Sequence, residues 1–177
     1  MPRLFTGLEI PDDLAGDLAL LRGGMSGARW MEPSDYHLTL RFLGDVDDRT
    51  AAEFDAELAR IRRKPVEITI EGLDHFGGDR PRALIARAKP SQPLVELQAE
   101  QERIARRIGL AAETRKYVPH VTLARLRSAS PLAVADYLAT RGFIGAKRFT
   151  AERFVLYSSR DSVGGGPYVI EAEYPLV

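Results

Sequence analysis

Hydrophobic positions along the chain switch between a period of two and a period near 3.6, and the switches mark its elements. The opening run RLFTGLEI is apolar and stops at Pro11, which predicts a strand; Asp12 to Leu21 then aligns Leu14, Leu18 and Leu21 on one helical face before Gly23 and Gly24 end it. From Tyr36 the chain alternates strictly, with Leu38, Leu40 and Phe42 on one side and His37, Thr39 and Arg41 on the other, until Gly44. Asp48 to Arg63 carries Ala52, Phe54, Leu58 and Ile61 at helical spacing, and Val66–Ile70 and Ala83–Ala88 read as strands separated by a Gly/Pro loop. Leu94, Leu97, Gln101, Ile104 and Ile108 form one face of a helix that Gly109 terminates. A strand at His120–Leu126, a helix at Pro131–Thr140 and closing strands around Phe149–Ser158 and Tyr168–Pro175 complete the pattern. Hairpin-like strands mixed with single helices argue for an α+β fold with antiparallel sheet rather than a regular parallel βαβ array.

Composition narrows the function classes without choosing one. The 177 residues are 45% hydrophobic, enough for a real core, so disorder is not a candidate and the whole of 1–177 reads as one domain. Acidic and basic residues number 25 each, so no global field points to nucleic acid or an anionic membrane, and any phosphate recognition must be local. The absence of cysteine removes disulfides, thiolate zinc sites and a cysteine nucleophile together. No run has the length of a membrane span and the start lacks a signal-like apolar region, which gives a soluble, cytoplasmic protein as the expectation.

Chemistry enters with a repeat. The segment His37-Leu38-Thr39-Leu40 has a counterpart 83 residues on in His120-Val121-Thr122-Leu123, and both read His-x-Thr-Leu. Strand side chains repeat every two residues, so His and Thr share a face in each copy. If the halves are related by a pseudo-two-fold axis, the two faces meet across one cleft and bring together imidazoles remote in sequence. One neutral imidazole can then accept a proton from water while a protonated one supplies the leaving oxygen, and a pKa near 6.5 makes both states accessible. Thr39 and Thr122 can hold non-bridging phosphoryl oxygens. A single copy would read as an ordinary strand-end histidine beside a strand-favouring threonine. Two of the three histidines in one tetrapeptide pattern outweigh that reading.

With these residues the chain resembles the two-histidine phosphoesterase superfamily, and within it the RNA 2',3'-cyclic phosphodiesterases once described as 2'-5' RNA ligases. The resemblance runs from RLFTGLEI through Trp30, HLTLRFLG and PHVTLARL to the C-terminal SSR, GGGPYVI and PLV. It implies a bilobal α+β fold, two pseudo-symmetric lobes of mostly antiparallel sheet with outer helices around a central cleft. It also implies His37 as general acid on the ribose 3' oxygen, His120 as the base that activates water, no metal and no cofactor. Thr39 and Thr122 would hold the phosphate, Arg125 would clamp it, and Phe42 would stack on the terminal base. The implied partner is RNA ending in a 2',3'-cyclic phosphate, or a related cyclic nucleotide, bound by a monomer and opened to a 2'-phosphomonoester.

Alternation and resemblance disagree at one point. In an ideal strand Phe42 and Arg125 lie opposite the histidines and Arg41 lies beside them; a bulge just after each Thr would reconcile the two. His75, in LDHFGGDRP, is expected on a surface loop; Arg115, Lys116 and Tyr117 precede the second motif and are read equally well as approaching a phosphate or base or as a solvated loop, while LRGGMSG and SVGGGPY lack the spacing of nucleotide-binding loops. A metal site built on Asp35, His37 and His120 fits the spacing poorly. Reversible 2'-5' ligation, hydrolysis of a small cyclic nucleotide, and a non-catalytic module that holds RNA ends are the alternatives.

Overall fold

In the computed structural model, which describes residues 3–159 and 167–177, the segments read as strands join a short unannounced one in a nine-stranded antiparallel sheet. They are β1 (Arg3–Glu9), β2 (Ala28–Trp30), β3 (His37–Asp45), β4 (Val66–Phe76), β5 (Ala83–Ala88), β6 (His120–Leu126), β7 (Lys147–Ala151), β8 (Arg153–Ser159) and β9 (Tyr168–Pro175). The helices are α1 (Asp12–Ala19), α2 (Asp48–Leu58), α3 (Gln92–Arg107) and α4 (Pro131–Arg141). Strand order is β7-β4-β5-β6-β3-β1-β8-β9, with β2 also on β6. Read from its centre the order is symmetric: β6-β5-β4-β7 on one side and β3-β1-β8-β9 on the other. The two halves meet where β3 pairs with β6 at a single register position, Leu38 opposite Val121. This is the bilobal α+β architecture expected.

The helices cover one side of the sheet. Leu38 and Val121 are each 0% exposed on that side, and burying such side chains is worth roughly 1.5–3 kcal/mol apiece. Helix α3 buries Leu94, Leu97, Gln101 and Ile104, the face its spacing predicted, while α4 buries Val134 and Tyr137. Side-chain caps start three of the helices: Asp47 accepts from the Thr50 N–H, Ser91 from Leu94 and Ser130 from Ala133. Asp47 and Ser130 stand at the same 83-residue interval as the histidines, so the repeat extends to the helix that follows each motif.

Both motif strands slip by one residue at the same place. On β1, Gly7 faces Thr39 and Thr6 faces Arg41, leaving Leu40 as the extra residue; on β5, Ile85 faces Thr122 and Leu84 faces Ala124, leaving Leu123 extra. Each is a β-bulge, and after it two consecutive residues are buried, Leu40 with Arg41 and Leu123 with Ala124. The first bulge is braced. The Arg41 N–H donates to Thr6 Oγ1 at 3.0 Å, and the Thr6 hydroxyl donates to Gln101 Oε1 at 2.5 Å. Gly7 allows the close approach there, since a Cβ on it would lie 2.9 Å from the Leu38 carbonyl oxygen.

Other boundaries depart from the expected ones. Helix α2 ends at Leu58 rather than Arg63, with Ile61 buried from an irregular segment that precedes Pro65. Strand β4 runs on past Ile70 through Gly72, whose φ of 73° absorbs an irregularity, so His75 belongs to a strand opposite Leu84 and not to a loop. The run expected around Phe149–Ser158 is two strands broken at Glu152, and β2 had no pattern long enough to announce it. LRGGMSG does form a connection, with Gly23, Gly24 and Gly27 at positive φ, whereas most of SVGGGPY lies outside the described residues. Among the described residues, no helix is long and apolar enough to cross a membrane.

Candidate active site

The site grows out of the β3–β6 junction. Because Leu38 faces Val121 in antiparallel register, the neighbouring positions set His37 across from Thr122 and Thr39 across from His120. The buried pattern of the flanking residues puts all four side chains on the side of the sheet away from the helices. Two sequence-distant motifs therefore interleave as a two-by-two block, His beside Thr in both directions.

The bulges decide what lies next to that block. Past Leu40 and Leu123 the faces exchange, so Phe42 and Arg125 turn toward the histidines and Arg41 turns away. Ring contacts agree: Phe5 touches His37 at 4.8 Å between centroids and stacks on Phe42 at 6.2 Å. Phe42 is 43% exposed, and the Arg3 guanidinium lies over its ring at 5.3 Å. Arg125 is solvent-exposed, and its charge opposes protonation of both imidazoles. Arg41, 7% exposed, is committed elsewhere: its Nε donates to Glu102 at 2.6 Å and its Nη2 to the Ala111 carbonyl at 2.7 Å. Strict alternation would have chosen the wrong arginine for this face, because it assumes an unbulged strand.

Each imidazole is held by the same backbone contact. His37 Nδ1 donates to the Asp35 carbonyl at 3.0 Å, and His120 Nδ1 donates to the Val118 carbonyl at 2.7 Å. A carbonyl can only accept, so Nδ1 carries the proton and Nε2 is the exchangeable nitrogen in both rings. The environments then diverge. His37 is walled by Phe5, Tyr157 and Tyr168, and its Nε2 accepts from the Thr39 hydroxyl at 3.0 Å. Burial, joined by the positive charges of His120 and Arg125, pushes its pKa down to about 4. His120 meets one ring, Phe76, edge-on at 4.8 Å; burial and Arg125 also lower its pKa.

A groove of about 300 Å³ opens against His120 and Thr39, lined also by Phe42, Phe76 and Tyr117. His37, Thr122 and Arg125 lie on the same sheet face but not in its lining. Tyr117, which the sequence left between the site and a solvated loop, donates to the Thr39 carbonyl at 2.8 Å, and burial raises its pKa. Arg82 and Lys116 also reach the groove. The only sequence signal for Lys116 was proximity to the second motif, which does not separate it from a solvated cation, and Arg82, 38 residues before His120, had none. Among the described residues no cluster of three or more His, Cys, Asp or Glu side chains has metal-binding geometry.

A symmetric sheet that sets two His/Thr pairs on one face points to a phosphoesterase-like class, and comparison with known proteins makes the assignment specific. The family model described as LigT like Phosphoesterase matches the chain twice, at residues 8–86 and 85–168, one match for each motif. An RNA 2',3'-cyclic phosphodiesterase of Bacillus subtilis is 33% identical over 130 residues, covering 70% of this chain and 71% of the relative. A protein of the same name from Aeropyrum pernix is 35% identical over 125 residues, 67% of this chain and 71% of its own. Among solved structures, TT0787 of Thermus thermophilus superposes with a TM-score of 0.82 at 22% identity over 98% of this chain and 97% of that one. E. coli LigT complexed with 3'-AMP gives 0.79 at 23% identity over 99% of both. This chain belongs to the LigT-like phosphoesterase family of the two-histidine superfamily and is a hydrolase of phosphodiester bonds.

Proposed function

We propose that the protein opens a terminal 2',3'-cyclic phosphate on RNA to a 2'-phosphomonoester, using one chain as a single bilobal catalytic unit to which each lobe supplies one imidazole. Water attacks phosphorus while His120 Nε2 takes its proton; the bond from phosphorus to O3' breaks, and His37 Nε2 delivers a proton to O3'. The products are a 2'-phosphate and a 3'-hydroxyl. Thr39 and Thr122 donate to the non-bridging oxygens, Arg125 offsets the charge that develops on them, and Phe42 stacks on the terminal base. The observation that supports this reading is the Leu38–Val121 register, which interleaves the two His/Thr pairs, with each Nδ1 bound to a carbonyl so that Nε2 is the nitrogen left to exchange a proton. None of these steps uses a metal.

A second reading exchanges the two roles. It is favoured by the low proton affinity of His37, which leaves that ring neutral near pH 7 in the free protein. In the first reading the bound phosphate anion raises the His37 pKa enough to charge it.

The test is an oligoribonucleotide ending in a 2',3'-cyclic phosphate, incubated with the protein in excess chelator. Turnover to the 2'-monoester is expected, and no turnover, or turnover lost to chelator, overturns the proposal. The same substrate with sulfur in place of O3' separates the two assignments, because a thiolate leaves without a proton. Substitution of the acid is then tolerated and substitution of the base is not, so rescue of His37→Ala supports the first reading and rescue of His120→Ala the second.

A further inference from the structure

The edge of β6 that β3 leaves after one residue pair is taken up by β2, and this continues the site. Met31 N donates to the Leu123 carbonyl at 2.9 Å, and Trp30, Arg29 and Ala28 then face Ala124, Arg125 and Leu126. Arg29 therefore stands directly opposite Arg125. Trp30 points to the helix side, where its ring meets Tyr137 of α4 at 5.9 Å, so Arg29 points the other way, to the face that carries His37 and Thr122. The interleaved block thus gains a third rung: Thr39 with His120, His37 with Thr122, then Arg29 with Arg125.

Two like charges directly opposite each other in a sheet destabilise it, since their Cβ atoms are roughly 5 Å apart. Both arginines are exposed, and among the described residues neither guanidinium has a hydrogen bond or an ion pair. The pair sits one rung from the proposed phosphate site. Two strand residues advance about 6.6 Å, the same order as the step between successive phosphates of a nucleic-acid strand. Phe42 lies at the opposite end of the block, so a terminal nucleotide with its base there sends its 5' side toward the arginines.

The geometry points to Arg29, beside Arg125, as the holder of the phosphodiester that links the terminal nucleotide to the rest of an RNA. This deepens the proposed function by naming its substrate class: polymer ends rather than free nucleoside cyclic phosphates. Arg29 touches no reacting atom and acts on specificity. Its planar fork suits a phosphodiester that carries one charge shared by two oxygens.

The experiment compares the wild type with Arg29→Gln and Arg29→Lys on three substrates ending in a 2',3'-cyclic phosphate. These are an oligoribonucleotide, the same oligonucleotide with a neutral methylphosphonate at its last linkage, and a nucleoside 2',3'-cyclic phosphate without a 5' phosphate. Arg29→Gln is expected to lower kcat/KM on the first about 10- to 100-fold, the range of one charge-assisted hydrogen bond, chiefly through KM. It leaves the other two unchanged, and Arg29→Lys loses less. An equal loss on all three substrates, or none on any, overturns the proposal. Binding of an uncleaved oligoribonucleotide with a 3'-phosphate end is measured in parallel. If the wild type binds it through Arg29 but turns over none of the substrates, the phosphodiesterase reading fails and the subsite stands. If Arg29→Gln binds as well as wild type, the subsite fails whatever the turnover.

Discussion

The two halves of the sheet carry the same device in different surroundings. In both, a strand begins with a histidine whose Nδ1 is held by a carbonyl two residues back, continues through a threonine, and slips by one residue at the following leucine. Around His37 the lobe packs Phe5, Tyr157 and Tyr168; His120 borders the groove, and among the described residues Phe76 is the one aromatic ring against it. Duplicated backbone with unlike packing is a direct way to obtain two imidazoles of different proton affinity, which acid/base work requires. Symmetry places the groups, and in the proposed mechanism the departure from symmetry gives them separate work.

The largest effects come from removing the groups the halves share. His37→Ala and His120→Ala are each expected to lower kcat about 10²- to 10⁴-fold, with the double variant far less impaired than the product of the two. A variant of either kind that keeps most of its kcat in a steady-state assay breaks the pairing. The next comparison sets Arg125 against Arg41, which occupy adjacent positions of the two aligned motifs but opposite faces. Arg125→Ala is expected to cost roughly 10²-fold in kcat at near-normal stability, as loss of one transition-state donor does. Arg41→Ala leaves the Glu102 carboxylate inside the protein without its closest partner, a destabilisation of about 3 kcal/mol read as a lower urea midpoint. If Arg41→Ala is the variant that loses kcat while staying stable, the bulges do not orient the faces as described.

How far the sequence revealed this follows from what periodicity can register. The helical face of α3, down to the buried polar Gln101, and the shared face of His and Thr in each motif come directly from spacing. The bulges do not, because one inserted residue looks the same as none in a pattern of apolar and polar letters. Only the conflict between alternation and the family pattern, present at Phe42 and again at Arg125, exposed them. Strand β2 is three residues long and leaves no period, so Arg29 was indistinguishable from any exposed arginine until its register on β6 was known. Tyr117 stayed undecided and His75 was misread for a similar reason: one is fixed by a hydrogen bond to a strand 78 residues away, the other by a strand that continues through a glycine.

A smaller effect tests the packing difference itself through stability. His37 takes up a proton near pH 4 in the folded chain and near 6.5 when unfolded, so between these values the unfolded state binds more protons. Stability therefore falls as pH drops from about 6.5 toward 4, and replacing His37 by Asn removes that share of the loss. Urea midpoints at pH 7 and pH 5 for the two proteins measure it, and equal losses in both place the titration elsewhere.

The finest test changes one wall of the ring cage and follows the two histidines separately. Tyr168 meets His37 edge-on at 5.0 Å and has no contact of this kind with His120. Replacing it by Ala admits water to one side of the His37 imidazole, which lowers the cost of charging it, so its pKa should move up from about 4 toward the unperturbed value. His120, whose burial depends on Phe76 and the groove wall, should titrate as before. An NMR titration of the imidazole protons resolves both at once. If the two resonances shift together, the halves are coupled through the charge between them rather than set apart by packing; if His37 alone moves, the aromatic wall accounts for the difference.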